Sequence, residues 1–164
     1  MEKDLKDLEI RLLTPGEKKW FSEEEKKTMY PLLQDKILSR WKKPGYYVAF
    51  VLTVEGEKIG SVSFDIYDFL KKGKDNYIIL DTWNFFIAEE WQKKNLGKYF
   101  LKRILPIVKN YYFQKYGFTV AQVIIETNTA PEFYEKIVPH LGYKYEKVNM
   151  VLAGELVSYF FINM

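Results

Sequence analysis

Tyr77-Ile78-Ile79-Leu80-Asp81-Thr82-Trp83-Asn84-Phe85-Phe86-Ile87, then Gln92-Lys93-Lys94-Asn95-Leu96-Gly97-Lys98, then a helical pattern to about Val108: this stretch decides the fold. Its first part is rich in β-branched and aromatic residues, the signal for a largely buried strand. After the polar loop, Leu96, Tyr99, Phe100, Arg103, Ile104, Ile107 and Val108 recur at helical spacing, and Leu101 and Leu105 widen the apolar face. The loop therefore joins the end of a central strand to the start of a helix. Backbone N–H groups at such a junction lack intrahelical partners and sit at the positive end of the helix dipole, so an anionic phosphate is the ligand they favour. Lys93, Lys94 and Lys98 add positive charge around the same point.

Working outward, Leu8 to Leu13 alternates as a first strand closed by Thr14-Pro15-Gly16. Ser22 before Glu23-Glu24-Glu25 reads as a helix N-cap, and the stripe Met29, Leu32, Leu33, Ile37, Leu38 and Trp41 carries that helix on, with Pro31 as a kink or break, to Lys42-Lys43-Pro44-Gly45. Tyr46 to Val54 and Lys58 to Tyr67 form a hairpin about Glu55-Gly56-Glu57, and Lys71 to Asn76 reads as a charged surface loop. The helix after the central strand is expected to run to Tyr116-Gly117 with Pro106 inside it. Then come a strand Val120 to Glu126, a helix Pro131 to Val138 with proline in its first turn, and strands Tyr143 to Val148 and Leu156 to Ile162. The order β-α(α)-β-β-β-α-β-α-β-β describes an α/β (α+β) chain with a mixed sheet.

A family resemblance now enters. Gln92-Lys93-Lys94-Asn95-Leu96-Gly97 resembles the Q/R-x-x-G-x-G/A pyrophosphate loop of the GNAT superfamily of acyl-CoA-dependent N-acetyltransferases, with Asn95 where the family has its first glycine. Asn is the residue after glycine that best tolerates left-handed backbone angles, so the turn can survive the exchange. About thirty residues on, Asn128-Thr129-Ala130-Pro131-Glu132-Phe133-Tyr134-Glu135-Lys136, then Leu141-Gly142-Tyr143, looks like the family's N-x-x-A-x-x-F-Y-x-K-x-G-F/Y element, with Val138-Pro139-His140 as an extension. The resemblance implies a GNAT-like fold, a central splayed mixed sheet flanked by helices, in a single domain over 1–164.

The resemblance also implies chemistry: an N-acetyltransferase moving an acetyl group from acetyl-CoA to a primary amine by direct attack in a ternary complex. Backbone amides of Lys93 to Lys98 would hold the pyrophosphate of coenzyme A, with Gln92, Asn95, Leu96 and Gly97 shaping the loop. Counting back from Gln92 puts the amide that polarises the thioester on Ile87, with Phe85 and Phe86 along the pantetheine path; their side chains serve equally as core. Tyr134 is the candidate acid for the departing thiolate, and packing is its alternative role. Asn128 would bond the pantetheine arm or hold the strand-to-helix junction, and Phe133 completes the cofactor group. Asp81 is the candidate base, since a carboxylate in an apolar strand is costly to bury unpaired; Glu89, Glu90 and Glu126 are weaker candidates, and a water chain without any single base is the remaining option. A catalytically inactive CoA-binding or protein-interaction module on the same fold is the competing reading.

Composition bounds these expectations. The chain has 164 residues, 48% hydrophobic and 18% aromatic, enough for one sizeable core. Lysine plus arginine exceed aspartate plus glutamate by 25 − 22 = 3, too little to argue for nucleic acid. No cysteine is present, which removes a thiol nucleophile and Cys-ligated zinc, and the lone His140 cannot build a histidine-rich metal site, so no metal is expected. No run approaches a membrane span and the N-terminus is charged, so a cytoplasmic protein without membrane contact is the default. The acceptor is either an amine-bearing small molecule or a protein or peptide; its wall would come from Trp20 to Pro44 and the hairpin around Val148 to Leu156. Clustered Tyr159, Phe160 and Phe161 in the final strand leave a homodimer open.

Overall fold

A computed structural model describes residues 7–21, 23, 46–72, 75–92, 95–127 and 130–164. The helix expected to start at Ser22 begins earlier, since residues 18–21 and 23 are already helical; 24–45 lie outside the described residues, as do Lys93, Lys94 and Asn128. Besides the helical residues 18–21 and 23, seven strands and two helices are described: β1 (Leu8–Leu12), β2 (Val48–Val54), β3 (Glu57–Lys72), β4 (Asp75–Ile87), α1 (Leu96–Tyr116), β5 (Thr119–Thr127), α2 (Pro131–Ile137), β6 (Tyr145–Leu152) and β7 (Glu155–Asn163). They make one mixed, largely antiparallel sheet in the order β1-β2-β3-β4-β5-β7-β6, with β4 and β5 parallel.

The chain divides into two compact units. The first is Met1–Asp65 with Trp83–Phe100, the second Ile66–Thr82 with Leu101–Met164. In the first, β2 is buried on both faces, and its hairpin to β3 turns at Glu55 and Gly56 with φ of 48° and 82°. Both central positions are left-handed, which suits the twist of a two-residue hairpin and explains the glycine. Beside β1, Pro15–Glu17 forms a single 3-10 turn. Glu17 closes it by accepting from the backbone N–H of Thr14 at 3.0 Å and from its hydroxyl at 2.9 Å, and it takes both guanidinium nitrogens of Arg11 at 2.6 and 2.9 Å. The Arg11 guanidinium is the largest influence on Glu17, holding its carboxyl down to about 2. That fork ties the chain leaving β1 to β1 itself.

In the second unit, α1 buries Leu101, Ile104, Leu105, Val108 and Tyr112. Arg103, counted with that stripe in the sequence, is exposed, because the apolar spacing i, i+3, i+4 runs through Leu101, Ile104 and Leu105 instead. The helix stops at Gly117, φ 72°, whose N–H donates to the Phe113 carbonyl while that of Phe118 donates to Tyr112. Both bonds satisfy carbonyls that the helix end would leave open. Tyr116 stacks on Phe118, and Phe118 meets Phe69 edge-on. Pro131 opens α2 at its first turn, as its fixed φ favours.

Three expectations are corrected. The charged stretch 71–76 is mostly strand, since β3 runs to Lys72 and β4 starts at Asp75; charge marks solvent exposure, which a strand tolerates on an open side. The strand expected from Tyr143 to Val148 is shifted and longer, Tyr145–Leu152, because the two-residue turn Ala153-Gly154, φ 51° and 80°, lets both arms of the last hairpin pair fully. The aromatic run of the final strand is not an open edge. β7 lies between β5 and β6, with Phe160 buried, and the edge is β6, all eight residues of which are exposed. Among the described residues no helix is long and apolar enough to cross a membrane.

Candidate functional site

Within the first unit, the end of β4 and the start of α1 are built from consecutive residues. Phe86 and Ile87 are buried, and Phe85 packs on Phe100 with ring centroids 5.4 Å apart. Trp20 lies against Phe86 at 6.1 Å. At Ala88 the backbone N–H donates to the Ile59 carbonyl at 2.7 Å, and the chain then makes one 3-10 turn, Glu89–Trp91, which the sequence reading did not anticipate. Glu89 and Glu90 are exposed on it. The side-chain amide of Gln92 turns back and donates to the Ile87 carbonyl at 2.8 Å.

Asn95 follows at φ 58°, the left-handed conformation its short polar side chain tolerates. Its carbonyl accepts the N–H of Tyr99 at 3.2 Å, the first bond of α1. The N–H groups of Leu96, Gly97 and Lys98 therefore precede the helical ladder and have no carbonyl within it. Leu96 and Gly97 are buried and Lys98 is exposed. Such a terminus, with a lysine on its rim, is suited to an oxyanion.

In the second unit, Tyr134 of α2 is buried between Phe133, at 5.0 Å edge-on, and Phe160 of β7 at 6.1 Å. Burial pushes its phenol well above the ordinary range, so it stays protonated at neutral pH. Phe133 itself is 36% exposed. The junction ahead of α2 is held by Thr127, whose hydroxyl accepts the N–H of Ala130 at 3.1 Å; Ala130 is the N-cap residue. Sequence reasoning gave this junction to Asn128 and overlooked the neighbouring hydroxyl.

Asp81 occupies the last registered pair of the parallel β4–β5 ladder, opposite Ile124, while β4 itself runs on to Ile87. Glu126, two residues further along β5, is opposite Tyr159 of β7. Paired residues share a sheet face and alternate residues along a strand return to it, so Asp81, Glu126 and Tyr159 lie on one face. Tyr159 donates its phenol to Glu126; partial burial first, then the Glu126, Asp81 and Tyr67 charges, raise it. Tyr134 packs on Phe160, the next residue of β7, and so belongs to the opposite face. The candidate acid and base are thus on opposite faces of the sheet. Tyr159 was missed in the sequence; counting alternation across β5 and β7 in register would have found it, but the register is a tertiary fact.

The family model described as the acetyltransferase (GNAT) family matches residues 10–138. The chain belongs to that family. Solved GNAT-fold structures resemble it over nearly their whole length. The Arabidopsis thaliana NAA60 complex with acetyl-CoA is 11% identical, with a TM-score of 0.67 and coverage of 94% of this chain and 97% of that one. The ribosomal-protein-S18-alanine N-acetyltransferase of Escherichia coli is 14% identical, TM-score 0.66, over 95% and 93%. A chimera of the Vibrio cholerae spermidine N-acetyltransferase SpeG and hSSAT is 16% identical, TM-score 0.62, over 96% and 95%. No curated protein sequence matches this GNAT chain significantly. At such identities the structural likeness carries the fold, and the fold is the mixed sheet flanked by helices that the loop at 92–98 suggested.

Proposed function

We propose that this GNAT chain, read as one acetyltransferase domain over 1–164, transfers the acetyl group of acetyl-CoA to a primary amine by direct attack in a ternary complex. The observation that carries the reading is Asn95 at φ 58° immediately before α1. The one residue that departs from the family's loop adopts the backbone conformation that glycine would supply, so the helix start remains open to a phosphate. The same observation favours this reading over an inactive module, which the exchange at Asn95 would otherwise support.

The roles are those the family resemblance implies. The pyrophosphate is held by amides from Lys93 to Lys98, with the lysine charges around them and Gln92, Leu96 and Gly97 shaping the turn. Pantetheine runs past Phe85 and Phe86, with Asn128 and Phe133 as further contacts, and the Ile87 N–H polarises the thioester carbonyl. The amine attacks the carbonyl carbon after losing its ammonium proton through water, which leads either to Asp81, on the sheet face opposite Tyr134, or to no single base. A C–N bond forms, the C–S bond breaks, Tyr134 donates its proton to the leaving thiolate, and the second proton shed by the attacking nitrogen restores the phenol. Tyr134 carries the proton at neutral pH, and the burial that raises it also makes that proton harder to give up. The acceptor is an amine on a small molecule or on a protein or peptide, the kinds of substrate after which its structural relatives are named.

Calorimetric titration with acetyl-CoA and CoA, followed by an amine screen, tests this. Wild-type protein is expected to bind both ligands, more weakly as salt rises. Tyr134→Phe should keep CoA affinity within about twofold and lose on the order of 100-fold in kcat. Absence of binding to either ligand would sink the assignment.

A further inference from the structure

The Gln92 side chain has a visible partner, and it is the end of β4. Its amide donates to the Ile87 carbonyl at 2.8 Å. The peptide carrying that carbonyl also contains the N–H of Ala88, which donates to Ile59 at 2.7 Å. Both ends of the 87–88 peptide are therefore fixed, one by a neighbouring strand and one by the loop that follows. The preceding peptide, 86–87, is confined from β3. A Cβ built on Gly60 would stand 2.7 Å from the Phe86 carbonyl oxygen and 2.9 Å from Ile87 Cδ1, inside the 3.0 Å that real contacts respect. Only glycine lets β3 approach so closely here. The N–H of Ile87 belongs to this 86–87 peptide, so its direction is set by Gly60 on one side and by the locked 87–88 peptide on the other.

We propose that Gln92 and Gly60 are positioning residues for the thioester-polarising amide of Ile87, and that the Gln92 side chain serves the strand end rather than the phosphate. This rests on the acetyl-CoA reading above. A donor must meet the developing oxyanion within a few tenths of an ångström to be effective, and a free strand end would lose that alignment. The device also links the two halves of the cofactor site within the first unit. The residue that begins the phosphate loop holds the residue that meets the acetyl group.

The test uses full-length protein, acetyl-CoA labelled with carbon-13 at the carbonyl, and calorimetry with CoA. Gln92→Met keeps length and loses the donor; Gln92→Arg restores one. In wild type, the bound carbonyl resonance should move downfield of free acetyl-CoA, as polarisation requires. In Gln92→Met, at least half of that displacement should vanish and acetyl-CoA hydrolysis should slow about tenfold, while the CoA Kd stays within about twofold; Gln92→Arg should recover both signals. Gly60→Ala should reduce the same displacement, and circular dichroism reports whether it folds. A Gln92→Met protein that binds CoA tenfold more weakly yet keeps the wild-type displacement would make Gln92 a phosphate ligand and overturn the proposal. Unchanged displacement, rate and affinity would overturn it equally. Wild type that fails to bind acetyl-CoA overturns the functional reading itself, and this proposal with it.

Discussion

Asn95 offers the sharpest quantitative test of the phosphate loop. A left-handed conformation costs an ordinary L-residue about 1–2 kcal/mol, and asparagine less, because its side chain bonds locally. Asn95 is exposed, so its replacement removes little packing and mainly changes this backbone preference. Asn95→Ala should therefore disfavour the native turn by about 1 kcal/mol. If only the turn with φ near 58° presents the helix-start amides to pyrophosphate, and the free loop samples that turn as a minor state, the cost appears in full as a population tax on binding. With RT of about 0.6 kcal/mol, the CoA Kd should rise about fivefold, and about tenfold if the cost reaches 1.4 kcal/mol. Asn95→Gly removes the Cβ penalty but adds backbone freedom, two opposing effects that should leave Kd within about threefold of wild type. Calorimetric titrations of the three proteins with CoA at one fixed salt concentration measure both values. Equal affinities for Asn95→Ala and wild type would refute the coupling of this turn to the phosphate, and Asn95→Gly binding more weakly than Asn95→Ala would refute the steric argument.

Two further predictions concern stability. Glu17 has a folded-state pKa of about 2, below its ordinary 4.5, so its contribution is present in full above about pH 4.5 and is lost as pH falls towards 2. After allowance for solvent around the one-third-exposed Arg11 side chain, about 2 kcal/mol is expected. Glu17→Gln should unfold more easily than wild type in urea at pH 7, with the gap closing below about pH 3; a gap independent of pH would contradict the Arg11–Glu17 account. Thr127→Val removes the acceptor for the Ala130 N–H and should cost about 1 kcal/mol by urea unfolding, and a neutral result would mean that this N–H finds another acceptor.

Local pattern carried much of this structure. The run from Tyr77 to Ile87, the spacing from Leu96 onward and Pro131 at a helix start announce strand, helix and helix because each depends on residues close in sequence. Asn95 could be assigned its backbone angle from the family's glycine and the tolerance of asparagine. What stayed hidden depends on pairing between distant segments. The Glu126–Tyr159 contact needs the β5–β7 register, and the interior position of β7 depends on sheet order, which aromatic composition does not encode. The Arg11–Glu17 fork spans only six residues, yet two opposite charges at that spacing occur widely without meeting. The Gln92 bond to Ile87 was concealed by the motif itself, which draws attention to backbone amides rather than to the side chain that opens it.

The outermost strand has one more consequence. A one-residue slip of a strand normally moves apolar side chains out of a core, but every residue of β6 is already exposed, so burial barely penalises a shift. Its register rests instead on the Ala153-Gly154 turn, the Ser158 bond to Asn149 and the ion pair of Lys147 with Glu135. Those attachments are few and local. Lengthening the turn by one residue would offer the rim a different set of side chains while leaving the folded interior as it is, so this edge can change by insertion where the rest of the sheet must change by substitution.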